Sequence, residues 1–192
     1  MRPAAGSSLP EVVILLGVMA AILHVVAPEW VGWRQRQRVE GAADELAMLV
    51  TALRVRSAGA GVAYGVRFRA DPPHLEWDVL RDGDGDGIRS DDVRRGVDPI
   101  VAGPHVLSRK YRGVTVGLPP GLRPPTGGVL PTDGVAFGRA DILSVHPQGT
   151  TSSGSIYLCD ARGRCAAVRL HGVSGRIAVW ERAPERSAWT RR

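Results

Sequence analysis

The sequence predicts an α+β fold: a long N-terminal helix, transmembrane in its first part and amphipathic in its second, packed on an antiparallel β-sheet or β-sandwich head. Three observations lead there. Val12 to Ala27 is apolar except for His24. From Val39 to Leu53 apolar residues recur at steps of three and four, the period of one buried helical face. After Ala63 come short alternating segments broken by many of the 24 glycines and 14 prolines, which favours short strands over a helical bundle.

Composition bounds the rest. Hydrophobic residues make up 44% and charged residues 23%, enough for a core and against wholesale disorder. The net charge of +6 is carried almost wholly by arginine, Lys110 being the only lysine. A basic surface can meet nucleic acid or anionic lipid. The arginines are scattered rather than clustered, so an arginine-rich composition explains the charge equally well.

At the N-terminus, Val12–Ala27 as a helix spans roughly 24 Å, short of a ~30 Å hydrocarbon core. Leu9 before it and Trp30 and Trp33 after it extend it to interfacial anchors, for a membrane span at about 9–27. Three readings meet here. A secretory signal would be cut after Val25-Val26-Ala27, where Pro28 disfavours cleavage. An uncleaved anchor leaves Glu11 without a reason, since an ionisable group in such a run calls for a partner. The third is a short basic leader, residues 1–6, ending in Gly6 ahead of the apolar run. Pro28 is expected to kink or break the helix. Beyond it Val39, Ala42, Ala43, Leu46, Leu49, Val50 and Leu53 continue the period to a stop at Ser57–Gly61. A helix over 7–57 would reach roughly 75 Å.

The head, 58–192, is expected to contain strands at Ala63–Arg69, His74–Leu80, Gly113–Leu118, Asp141–His146, Ser155–Cys159, Cys165–Leu170 and Arg176–Trp180. The stretch "PPGLRPPTGG" holds too many breakers for a core element. The sharpest chemical signal is "RDGDGDGIRSDDV". Asp82, Asp84 and Asp86 alternate, Gly87 permits a tight reversal, the Ile88 carbonyl is a further oxygen, and Asp91 and Asp92 close the run. Calcium takes six to eight oxygens, and such a loop supplies them from one turn. Val93 in place of a bidentate glutamate argues against an EF-hand. A solvated polar turn is the other reading. Catalysis is not expected: the histidines lack metal spacing, there is no Gly-x-Ser-x-Gly elbow, and "GTTSSGS" has Ser155 where a phosphate loop needs lysine.

Gly6, Ser7 and Glu11, five residues after the glycine, resemble the class III signal of type IV prepilins, although Ser7-Ser8-Leu9-Pro10-Glu11 replaces the usual Phe-Thr-Leu-Ile-Glu. At the other end, Pro147-Gln148-Gly149, Gly154 before a strand and Gly175-Arg176 in a last hairpin resemble pseudopilins of the FimT and pseudopilin-H type. The resemblance implies a prepilin peptidase cutting after Gly6, N-methylation of Ser7, and pairing of Glu11 with a neighbouring subunit's amino terminus. It further implies a single-pass protein of the bacterial inner membrane, in contact with its lipid, with a periplasmic head and other pseudopilins or pilins as partners. The implied function is that of a minor pseudopilin, a structural subunit of the type II secretion pseudopilus, in protein secretion across the outer membrane.

Two alternatives stand beside it. One is a FimT-type minor type IV pilin that binds DNA for uptake. That family's Gly-Arg-x-Arg would need arginine at Ala178, leaving Arg176, Arg182, Arg186, Arg191 and Arg192 as the basic set. The other is an uncleaved membrane-anchored calcium-binding module. In an oxidising periplasm Cys159 and Cys165, flanking "DARGR", would form a disulfide contributing about 2 kcal/mol; free thiols are the other reading.

Overall fold

The computed structural model describes residues 9–127, 131–186 and 188–192, the side chains of 23–35 excepted. The chain forms two compact units, Met1–Gln37 and Arg38–Arg192. Helix α1 (Leu9–Ala60) begins in the first and ends in the second, and its bounds enclose Pro28. In the first unit the large apolar side chains Leu9, Val12, Val13, Ile14, Leu15, Leu16, Val18, Met19 and Ile22 are all exposed.

In the second unit, residues 38–60 of α1 bury Val39, Ala42, Ala43, Leu46, Val50 and Leu53, while Met48 and Val55 face solvent. That stripe is the three-and-four spacing made physical. The helix closes where the Gly61 N–H reaches the Ser57 carbonyl at 2.9 Å, with Gly61 at φ 68°, the left-handed conformation common just past a helix end. Ser57 is buried, and its hydroxyl donates to the Val62 carbonyl at 2.7 Å.

Two antiparallel sheets follow. The first joins β1 (Tyr64–Asp71), β2 (His74–Arg81), β3 (Ile100–Val106) and, from further along, β6 (Ile142–Val145), in the order β3-β2-β1-β6. Between β2 and β3 lies α2 (Ser90–Arg95), and after β3 the single turn α3 (Leu107–Lys110). The second sheet holds β4 (Val114–Val116), β7 (Gly154–Asp160), β8 (Cys165–His171), β9 (Arg176–Arg182) and β10 (Thr190–Arg191), ordered β10-β9-β8-β7-β4, with β5 (Val135–Ala136) also on β7. Residues of α1 and of both sheets share one core, including Leu46, Val66, Leu75, Leu143, Leu158 and Leu170, and Phe68 stacks on Phe137 at 5.5 Å between centroids.

Charge is also built in. Asp78 on β2 is 2% exposed and meets Arg67, at 2.9 Å, and Arg69, both on β1. Burial raises its carboxyl pKa, but the hydrogen bonds from Arg69 and Arg67 outweigh it and hold the group below the ordinary carboxylate range.

The fold class and location differ from those expected. Among the described residues no helix is long and apolar enough to cross a membrane. This conflicts with the single-pass inner-membrane anchor expected at 9–27. The apolar run falls short of the ~20 residues a span needs, with Glu11 at one end and Glu29, Arg34 and Arg36 at the other. Helix α1 does run from Leu9 to Ala60, but of it only residues 38–60 belong to the β-rich unit. The architecture is mixed α and β, the second unit being mostly strand, with α2 and α3 inserted among its strands.

Candidate metal centre

The aspartate loop leaves β2 at Arg81 and enters α2 at Ser90. Its first carboxylate, Asp82, is buried and already employed. Oδ1 accepts the N–H groups of Asp84 at 3.2 Å and Gly85 at 2.7 Å, and Oδ2 accepts that of Gly87 at 3.0 Å. Short aspartate side chains bind backbone two or three residues on, which winds the chain around them. Gly87 sits at φ 92°, so the reversal expected there needs the freedom of glycine. At Gly83 the reason is space: a Cβ would stand 1.9 Å from the Val97 carbonyl oxygen.

The three alternating carboxylates converge. Candidate ligand oxygens of Asp82, Asp84 and Asp86 lie within 4.8 Å of one another, a spacing that oxygens about 2.4 Å from a shared calcium would satisfy. Asp84 and Asp86 are exposed, and Asp86 pairs with Arg89. Local desolvation, then the carboxylates of Asp84 and Asp92, push the Asp86 carboxyl above the ordinary range against the pull of Arg89. A cation there would relieve that crowding.

Two of the other expected ligands are engaged by arginines. Asp91 and Asp92 stand on α2, paired with Arg94 and Arg95 respectively. The side chain of Ile88 lies against Gly65 of β1. Sequence reasoning missed Asp98, which is 1% exposed. Its carboxylate accepts the N–H of Gly83 at 3.1 Å and of Arg89 at 3.0 Å, clamping both ends of the loop. Nothing in the alternating pattern points to it, because it lies beyond α2 and reaches the loop only through the fold.

The other expected sites are distributed as follows. Gly6 and Ser7 lie outside the described residues. Glu11 is exposed in the first turn of α1. Cys159 and Cys165 form a disulfide, opposite each other on β7 and β8. Of the basic set, Arg191 on β10 lies opposite Trp180 on β9. Arg176 and Arg182 sit at opposite ends of β9, roughly 20 Å apart at ~3.3 Å per residue. Arg186 and Arg191 are exposed. Arg192 is engaged by Asp44 and, at 2.8 Å, by Glu181; the hydrogen bond to Asp44 leads in raising its pKa above the ordinary arginine value. Compared with family models, with curated proteins and with solved structures, the chain matches none.

Proposed function

We propose that this chain is a structural subunit of pseudopilin type, which assembles through its N-terminal helix into a filament serving protein secretion across the outer membrane. The observation that carries the reading is the exposure of every large apolar side chain described between Leu9 and Ile22. An apolar helix surface of that extent marks an interaction site rather than a finished exterior. Further copies of the same helix supply a matching cover, with Glu11 as the one charged group in the first turn. The test is the chain end and the assembly together. Intact mass is expected to show a chain beginning at Ser7, and Glu11→Gln is expected to reduce recovery in sheared filament fractions by about tenfold. A chain beginning at Met1, or wild-type recovery of the variant, would overturn the proposal.

A calcium ion on Asp82, Asp84 and Asp86 belongs to the same proposal, as a clamp that stiffens the loop between β2 and α2. Asp82 is a poor residue to test, since its loss would break three backbone hydrogen bonds whether or not a metal binds. Asp84 is exposed, and the backbone contact its carboxylate accepts is a long one, 3.4 Å from the Asp86 N–H. Calcium at a hundredfold its dissociation constant is expected to stabilise the protein by ~2.7 kcal/mol, read as a rise in Tm. Asp84→Ala is expected to abolish the rise. A Tm of the parent protein indifferent to calcium and to chelator would leave the polar turn as the reading.

A further inference from the structure

A concavity of ≈ 220 Å³ lies where β3 runs into α3 beside the 38–60 segment of α1. Buried Leu107 and Trp77 form the apolar part of its lining, with Pro104 and Val106 beside them and the Glu45 carboxylate at its polar side. Its walls are held. The His105 ring stacks on Trp77 at 5.6 Å and 23°. Tyr111 packs over Gly41 of α1, where a Cβ would come within 3.1 Å of the ring. Lys110 is already neutralised, its Nζ 2.5 Å from Glu45 Oε2 and 5.4 Å from the Tyr111 centroid.

What remains at the rim is Arg109, exposed and, among the described residues, without a carboxylate partner. A guanidinium beside a small, partly apolar concavity suits a planar carboxylate whose body is apolar, because the fork binds both oxygens while the body displaces water. The volume admits a group about the size of one amino acid.

We propose that this pocket binds a carboxylate with a small apolar body, such as a free acid or an apolar residue ending a peptide, with Arg109 as the anion-binding group. The inference is independent of the filament reading. The probe is N-acetylleucine, titrated into the full chain by calorimetry or by NMR of the indole and amide signals. Saturable binding is expected, with at least about a tenfold loss for the uncharged N-acetylleucine amide and a similar loss in Arg109→Gln, as removal of one charge-assisted contact implies. Arg109 is exposed, so the variant is expected to fold; Arg112→Gln, outside the lining, is expected to bind as wild type. 4-Methylpentanoate, which lacks the amide, binding at least as tightly as N-acetylleucine would assign the free acid, and weaker binding the chain-end form of the ligand. No saturation by tens of millimolar acid, equal binding of the amide, or an equal loss in Arg112→Gln would overturn the site. Inorganic phosphate binding as tightly as N-acetylleucine would overturn the ligand class.

Discussion

Replacing Leu46 with alanine is expected to lower the stability of the fold by about 3 kcal/mol, the usual scale for emptying a buried leucine site. Leu46 is 2% exposed, in the core shared by both sheets, so the cavity has neighbours on several sides and cannot collapse freely. Leu15 supplies the contrast: same residue type, same helix, but 60% exposed in the N-terminal unit. Leu15→Ala is expected to change stability by no more than about 0.5 kcal/mol. Urea unfolding of both variants under conditions that keep the chain monomeric measures the difference. Equal losses would show that the first unit is structurally coupled to the second; equal neutrality would show that residues 38–60 do not share the core.

Asp78→Asn is expected to cost about 2–3 kcal/mol at neutral pH. Removing one partner of a buried ion pair costs roughly 3–5 kcal/mol, discounted here because Arg67 and Arg69 keep 28% and 43% of their side-chain surface in water. The sign with pH follows from the lowered carboxyl pKa. A carboxyl depressed in the folded state contributes stability that is full above its unfolded value near 4, and that is lost as pH falls through the folded value below it. The gap between wild type and variant is therefore expected to be widest from pH 5 to 8 and to close below about pH 4. Thermal unfolding across that range measures it. A gap that stays constant down to pH 2 would place the effect in packing rather than in charge.

Much of the head was legible because its strands announce themselves locally. The seven expected segments coincide with β1, β2, β4, β6, β7, β8 and β9, short runs bounded by turn residues, several of them alternating. β3 was not, for a physical reason: Ile100–Val106 contains Gly103-Pro104 and is mostly exposed, so neither alternation nor burial marks it. An edge strand tolerates proline because one side of it needs no ladder partner. β5 and β10 are two residues each, below what any pattern can register. At the candidate site the motif marked Asp82, Asp84 and Asp86 correctly as neighbours, since alternation in one tight turn brings them together without help from afar. It overextended to Asp91 and Asp92, whose nearest partners are arginines one helical turn away, a choice that α2 makes and the motif does not.

By itself the sequence determined the periodic features: the buried stripe from Val39 to Leu53, the strand alternation of the head, the closeness of three carboxylates, and the opposition of Cys159 and Cys165 across one short hairpin. All of these depend on spacings of a few residues, which backbone geometry alone converts into direction. The tertiary structure decided what spacing cannot carry. It divided the chain into two compact units at Gln37 and placed the buried stripe of residues 38–60 of α1 in one core with the sheets. It brought Asp98 from beyond α2 to hold the loop from both ends, drew Arg192 onto Asp44 and Glu181, and seated His105 on Trp77. Contacts between residues far apart in the chain depend on how helix, sheets and loops pack, and packing sums many small terms over the whole unit, which no short stretch of sequence contains.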